Sequence, residues 1–197
     1  MTIETHVMGP VMTNTYIISE NNETIIIDPA GKAEKIIELL QDKKLLAILL
    51  THGHFDHIKG VDGLYNHYHC PVYLNSQDEF LARDKYAGKS FNIVSYITCP
   101  TIPLKEEKMK IGPFEFEVIF TPGHTPGSVI YVFENEIFTG DTLFKGSVGR
   151  TDLEGGDNRL LKDSLRIFNS FNKEYTIYPG HDDKSLLSYE LMYNPYL

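Results

Sequence analysis

The densest group of metal-binding side chains in the sequence comprises His52, His54, Asp56 and His57, directly after the apolar run Leu45–Leu50. Imidazole and carboxylate groups are the ligands that suit Zn²⁺ and similar divalent ions. The chain has 8 histidines, and three of them fall in this short window, which argues against a chance cluster. If the chain bends into a loop after the apolar run, all four side chains can converge on one ion or on two adjacent ions.

Three later strand-like segments also end in glycine followed by a residue of metal-ligand type. These residues are His124, Asp141 and His181. Glycine permits backbone angles that are closed to other residues, and it lets the chain approach an ion closely. Each signal is weak alone, because a single histidine after a strand is more often an ordinary surface residue. Four strand ends of this kind together predict one shared metal site.

The order of these motifs resembles the metallo-β-lactamase superfamily: HxHxDH, then a single His, a single Asp and a final His. The resemblance runs from about Ile3 to the last residue. Within the superfamily, the runs Gly140–Phe144 and Gly149–Asp152 look like the hydroxyacylglutathione hydrolase (glyoxalase II) branch. The resemblance implies an α/β fold, the αββα sandwich of the metallo-β-lactamase type, with residues 1–197 forming a single domain.

The resemblance also implies a role for each ligand-type residue. One ion would be held by His52, His54 and His124, the other by Asp56, His57 and His181, with Asp141 bridging the two. A carboxylate suits the bridge because its two oxygens can span ions about 3.5–4 Å apart. We therefore expect two divalent metal ions, zinc first with iron or manganese as alternatives. We expect Asp56 and Asp141 to be the catalytic residues.

The expected reaction is hydrolysis of a small-molecule thioester, in which a metal-bridging hydroxide attacks the carbonyl carbon. A thiolate leaves unaided because the pKa of its conjugate acid is about 8.5, whereas an amide nitrogen must be protonated as it departs. Arg150 stands where the glyoxalase II pattern has a basic residue that contacts glutathione. Its guanidinium would bind a substrate carboxylate through two hydrogen bonds; the alternative is a salt bridge to Asp152.

Two departures from the glyoxalase II pattern leave glutathione specificity open. Sixteen residues follow His181 in the sequence, and we expect the protein to be a short form without the helical C-terminal domain of longer glyoxalase II enzymes. It also has Thr151 and Asp152 where those enzymes tend to carry an aromatic residue. The Gly149–Asp152 run resembles the persulfide dioxygenases as well, which implies one iron at His52, His124 and Asp141. A lactonase, a phosphodiesterase and a non-catalytic binding module are the further alternatives.

Composition sets limits on the partners. At 197 residues and 42% hydrophobic, the chain can bury a substantial core. Its net charge of −9, with no basic stripe, argues against binding to nucleic acid. We expect no signal peptide, no membrane span and a cytoplasmic location. Cys70 and Cys99 are expected to be free thiols, and nothing in the sequence specifies an oligomeric state.

Hydrophobic periodicity places the candidate ligands on a series of alternating elements. Helices are predicted from Lys32 to Lys43, from Gly60 to His69 and after Asp157. A further helix is predicted to start at a Ser76 cap, with Glu79 completing the capping box. The last helix, Ser185–Tyr193, would be capped by Asp182 and Asp183. The strands are predicted at Thr13–Ser19, Thr24–Ile27, Leu45–Leu50 and Phe114–Phe120.

The remaining candidates have ordinary interpretations. His67 and His69 lie two apart on a predicted helix, so they face different sides and cannot readily share an ion. His6 is expected to be structural or exposed. The aperiodic stretch Asp84–Pro103 is expected to be a lid over a substrate pocket or a passive surface loop.

Overall fold

The computed structural model describes residues 1–171 and 174–197. Its first sheet contains six strands, which lie side by side in chain order. The first three strands pair antiparallel, and the later pairs are parallel. Helices fill the crossovers that parallel pairing requires. The strands are β1 (Thr2–Met8), β2 (Thr13–Glu20), β3 (Glu23–Ile27), β4 (Lys44–Leu49), β5 (Val72–Leu74) and β6 (Ile102–Pro103); the helices between them are α1 (Ala33–Leu40), α2 (Val61–Tyr68) and α3 (Glu79–Ala82).

The second sheet is built from the later part of the chain. Its strands are β7 (Lys108–Ile111), β8 (Phe114–Phe120), β9 (Val129–Phe133), β10 (Glu136–Gly140), β13 (Thr176–Pro179) and β14 (Ser185–Leu186), in the order β14-β13-β10-β9-β8-β7. The parallel pair β10–β13 is joined through α4 (Asn158–Leu165), and α5 (Leu187–Tyr193) follows β14. A small ribbon, β11 (Leu143–Phe144) with β12 (Ser147–Val148), lies between β10 and α4.

Because side chains alternate between the two faces of each strand, both sheets pack against a helix layer on one face and against each other on the other, which gives four layers. On β3, the side chain of Ile26 packs in the cluster that contains Ile36 of α1, whereas Ile25 and Ile27 pack against the second sheet. The second sheet has the same arrangement, because Ile130 of β9 packs against α4 while Tyr131 faces the first sheet. Successive residues of a strand point to opposite faces, so each sheet is apolar on both. The αββα sandwich that the resemblance implied is therefore confirmed.

Helix boundaries differ from the sequence predictions where a local hydrogen bond decides them. Asp157 does cap α4, accepting from the N–H groups of Arg159 and Leu160 at 2.7 and 2.9 Å. The predicted Ser76 cap is wrong, because Asn75 accepts from the Gln77 N–H and starts a short 3₁₀ turn before α3. The capping box is also absent here, since Glu79 instead forms an ion pair with Arg83.

The predicted capping of the last helix by Asp182 and Asp183 is also wrong. Residues Ser185 and Leu186 are extended, because they pair with Ile177 and Thr176 of β13. The helix consequently begins at Leu187, and no side chain caps it. Sheet pairing has overridden a capping pattern that was read from local sequence alone.

Both cysteines are free thiols, as predicted. Burial raises the pKa of Cys70 to about 11 and that of Cys99 to about 12. Thiols of this kind react slowly with electrophiles, because the thiolate is the reactive form. Among the residues described, no helix is long and apolar enough to cross a membrane.

Candidate metal centre

Four loops that follow strands β4, β8, β10 and β13 meet at one edge of the sandwich, and together they carry all the ligand-type residues. Their backbones are bonded to one another. The Gly180 N–H donates to Gly140 O at 2.8 Å, and the Asn14 N–H donates to Gly180 O at 2.7 Å. The Val129 N–H donates to Thr51 O at 2.8 Å. The fold therefore fixes the relative positions of these loops through main-chain hydrogen bonds.

Two groups of side chains converge at this edge. His52, His54 and His124 each offer one ring nitrogen within 4.8 Å of the others, and all three are buried. His54 Nδ1 and His124 Nε2 lie only 2.9 Å apart. Asp56, His57 and His181 offer a second set of ligand atoms within the same 4.8 Å limit.

Asp141 lies between the two groups. Its Oδ1 is 3.4 Å from His57 Nε2, while its Oδ2 is 3.4 Å from His124 Nε2 and 3.5 Å from His181 Nε2. One carboxylate thus contacts a member of each group. The structure brings together all seven residues that the sequence suggested as ligands.

The buried polar atoms of the site fit metal ions. His52 Nε2, His57 Nε2 and Asp141 Oδ1 are buried and have no hydrogen-bond partner among the described residues. A buried polar atom without a partner is costly, and all three atoms belong to residues of the two groups or to Asp141, which contacts both. Neutral imidazole nitrogens and carboxylate oxygens are the donor set that divalent zinc, iron or manganese accepts.

The electrostatics of the two groups differ. Burial holds the pKa of His52 well below its ordinary value and lowers that of His54 to about 4, so both rings are neutral. Burial opposes charge on His57 and His181 too. The neighbouring carboxylates nevertheless raise the pKa of His57 to about 9 and that of His181 to about 11. The protons on His57 and His181 supply positive charge next to the carboxylates of Asp56 and Asp141. When a metal ion binds there, the two histidines must lose these protons.

Asp28 was not identified from the sequence, and it orients two of the histidines. Its Oδ2 accepts from His57 Nδ1 at 2.9 Å and from Thr51 Oγ1 at 2.6 Å, and Thr51 Oγ1 lies 3.0 Å from His52 Nδ1. A carboxylate only accepts, so the chain of donors leaves Nε2 of both rings facing the site. Asp28 has a left-handed φ of 50°. The signal in the sequence was the buried run Ile25–Ile27 followed by a carboxylate.

Asp78 was also missed, and it joins two of the ligand-bearing loops. The carboxylate is fully buried and accepts from the Gly53 N–H at 2.8 Å, the Gly127 N–H at 2.6 Å and Thr125 Oγ1 at 2.7 Å. Gly53 lies between His52 and His54, while Thr125 follows His124. A single side chain thus holds together the two loops that supply the first group.

A cavity of about 360 Å³ opens above the ligands. The segment predicted to be a lid contributes Asp84 and Phe91 to it, and Phe91 stacks on Phe55 with ring centroids 5.6 Å apart. Arg150 also lines this cavity, and its guanidinium forms two hydrogen bonds with Asp152, at 2.7 and 2.8 Å. Both proposed roles of Arg150, in the cavity and in a salt bridge, are therefore compatible with its position.

The other histidines lie elsewhere. His67 is exposed and packs against Tyr68, His69 ends α2 in a left-handed conformation, and His6 lies 3.6 Å from Glu4. None of them belongs to a group of metal-ligand type among the residues that the structure describes.

Comparison with known proteins gives consistent results. A family model described as the metallo-beta-lactamase superfamily matches residues 8–181. A probable metallo-hydrolase, YqgX of Bacillus subtilis (strain 168), is 37% identical over 199 residues, which are 96% of this chain and 94% of the relative. Hydroxyacylglutathione hydrolase GloC of Haemophilus influenzae is 33% identical over 193 residues, 93% and 91% of the two chains.

Solved structures resemble this one over its whole length. The BLEG-1 B3 metallo-beta-lactamase is 36% identical with a TM-score of 0.91, covering 100% of this chain and 99% of its own. The di-iron-bound form of TTHA1623 is 36% identical with a TM-score of 0.92, covering 98% and 100%.

Proposed function

The chain belongs to the metallo-beta-lactamase superfamily, and from this premise we propose that it is a dinuclear metal-dependent hydrolase acting on a thioester. The observation that carries the proposal is the position of Asp141, whose carboxylate contacts His124 of the first group and both His57 and His181 of the second. His52, His54 and His124 would hold one ion, and Asp56, His57 and His181 the other. Zinc is the proposed metal, and the di-iron-bound neighbour supports iron as the alternative.

The residues of the chain prepare the site for this chemistry. When bound by these seven residues, two divalent ions would lower the pKa of a water so that it is hydroxide at neutral pH, and they would polarise the substrate carbonyl. Thr13 Oγ1 donates to Asp56 Oδ2 at 2.9 Å, which fixes the carboxylate that would orient the attacking water. Phe55 and Phe91 line the cavity with stacked rings, which offer an apolar surface to the uncharged part of a substrate.

The leaving group favours a thioester. A thiolate departs without a proton, whereas an amine must be protonated as the C–N bond breaks. Apart from the proposed ligands, the described residues that line the cavity include no histidine, lysine, tyrosine or cysteine that could supply that proton. The similarity to a hydroxyacylglutathione hydrolase supports the same substrate class. The B3 metallo-beta-lactamase neighbour makes β-lactam hydrolysis the second candidate.

The experiment that tests the proposal measures thiol release without oxygen. We expect the zinc-loaded protein to cleave S-D-lactoylglutathione or a simple N-acetylcysteamine thioester, one thiol per turnover, and to leave a cephalosporin intact. His181→Ala should empty the second metal position and lower the rate about a hundredfold. The matched control, His67→Ala, removes an exposed histidine outside the site and should change neither metal content nor rate.

Other outcomes would replace the proposal. Oxygen consumption with glutathione persulfide and sulfite as product, surviving in the His181 variant, would establish a mononuclear dioxygenase. Cleavage of the cephalosporin in preference to both thioesters would establish a β-lactamase.

Arg150 is proposed to bind a carboxylate on the substrate. Its pair with Asp152 is exposed on both sides, so the guanidinium can exchange one carboxylate for another at little cost. We expect Arg150→Ala to lower kcat/KM on carboxylate-bearing thioesters by about ten- to a hundredfold, and far less on neutral ones. Lysine should restore only part of this, because it lacks the planar fork.

His124 Nδ1 donates to the backbone oxygen of Arg150 at 2.7 Å. Because alanine keeps this oxygen, the substitution tests the arginine side chain alone. Equal losses on both kinds of substrate, together with a lower melting temperature, would instead assign Arg150 to a structural salt bridge with Asp152.

A further inference from the structure

A second cavity lies beside the metal centre. Its volume is about 570 Å³, and Phe55 and Asp56 line both this cavity and the one above the ligands. The two residues therefore form the wall between a groove and the reaction site. We name this feature the basic groove, and its defining residues are Val7, Lys32, Lys35, Phe55, Lys59 and Val94.

Charge distinguishes the basic groove from the rest of the molecule. The chain as a whole carries 27 acidic against 18 basic residues, yet three lysines meet here and Asp56 is the one acidic residue that lines the groove among those described. The cavity above the ligands is different, because its one arginine, Arg150, is paired with Asp152. Two further carboxylates, those of Asp84 and Glu154, also line that cavity. The unneutralised positive charge next to the reaction site is thus concentrated in the groove.

The side chains of two of these lysines are free of ion pairs with described residues. Lys32 and Lys35 are exposed, and neither forms an ion pair with a described residue. Lys32 is the extended N-cap residue of α1 and Lys35 lies in its first turn, and both line the groove. Cations near a helix N-terminus oppose the helix dipole. Lys59, by contrast, donates to the backbone oxygen of Val94 and holds the groove against the 84–103 segment.

The residues that line the groove suit a ligand with both apolar and anionic parts. Val7 and Val94 are exposed apolar residues of its lining, and the lysine ammonium groups can pair with carboxylates or phosphates. We propose that the basic groove binds the anionic arm of the thioester substrate, while the carbonyl lies over the metal centre. This inference rests on the proposed thioester hydrolysis, and it extends that proposal to substrates whose thiol portion carries carboxylate or phosphate groups.

The test compares selectivity between anionic and neutral thioesters. The double variant Lys32→Gln/Lys35→Gln should lower the ratio of kcat/KM for S-D-lactoylglutathione over the N-acetylcysteamine thioester about tenfold. Acetyl-coenzyme A, whose thiol portion carries phosphates, serves as a second anionic substrate. A larger loss of kcat/KM on S-D-lactoylglutathione would identify carboxylate as the preferred group, and a larger loss on acetyl-coenzyme A would identify phosphate. The ratio in the unaltered protein should also fall as ionic strength rises, because salt screens exposed charges.

A matched control separates the groove from net charge. Lys105→Gln/Lys162→Gln removes the same two charges outside the groove and should keep the ratio unchanged. Equal effects of the two double variants, or none from the groove variant, would overturn the inference.

A binding measurement keeps the two proposals separate. Titration of the zinc-loaded protein with S-methylglutathione and S-methyl-coenzyme A requires no hydrolysis. If at least one of the two ligands binds more weakly to the groove variant but not to the control variant, the inference is supported even if no thioester is cleaved. Unchanged binding of both would overturn the inference even if thioesters are cleaved.

Discussion

Asp141→Asn is expected to remove both metal ions and turnover together. Asp141 is the proposed ligand whose oxygens contact both groups, and an amide offers a neutral oxygen on one side and an N–H donor on the other. Burial opposes its ionisation, yet His57 and a hydrogen bond from His181 lower the pKa of Asp141 to about 2, so its charge is present at neutral pH. We expect kcat/KM to fall at least about a thousandfold, with metal content after dialysis as the parallel measurement.

The control for this variant is Asp183→Asn, which changes an exposed carboxylate paired with Lys145. It should retain the metals and the rate. An Asp141 variant that keeps two tightly bound ions and near-normal turnover would remove the bridging assignment, even if the enzyme proved to be a hydrolase.

Gly180→Ala should have an effect of similar size although it replaces no ligand. A Cβ at this position would lie 2.1 Å from Asp141 Oδ1 and 2.8 Å from His57 Cε1. The backbone cannot retreat, because Gly180 is bonded to Gly140 on one side and to Asn14 on the other. The bridging carboxylate must therefore move, and we expect loss of metal and at least about a thousandfold lower kcat/KM.

Gly63→Ala is the matched control, since its Cβ would lie 2.4 Å from the Ala33 Cβ, between α1 and α2 and away from the ligands. It should lower the melting temperature while the protein keeps its metal stoichiometry. If Gly180→Ala lowered stability but bound two ions normally, the close approach of this loop to the carboxylate would have no functional importance.

The convergence of the candidate ligands could be predicted because the signal for each is local. A strand, a glycine and a ligand-type residue follow one another at His124, Asp141 and His181, and the remaining four candidates directly follow the apolar run Leu45–Leu50. Asp28 and Asp78 were missed because their partners are distant. Asp28 bonds to His57, 29 positions away, and Asp78 to Gly127, 49 positions away. No periodicity marks a buried carboxylate of this kind.

The wrong predictions of helix caps have the opposite origin. Ser76 and the Asp182–Asp183 pair fit capping rules that consider only adjacent residues, but a neighbouring side chain or strand formed a competing bond. Asn75 Oδ1 accepts from the Gln77 N–H, so the turn is capped one residue before Ser76. Pairing of β14 with β13 fixed Ser185 and Leu186 as extended backbone. Local propensity decides such boundaries only when tertiary structure makes no demand on the same groups.

The order of strands in the two sheets has a consequence for the protein as it is synthesised. Each sheet is made from one continuous part of the chain, β1–β6 and then β7–β14 without the small ribbon. Domains begin to fold from the N-terminus as the ribosome extends the chain, so the first sheet has all its strands before the second has any. His181 leaves the ribosome last among the proposed ligands, after β13 has been made. A nascent chain therefore presents His52 and His54 to cellular metal long before it holds the full set of proposed ligands, which is complete only when His181 has been added.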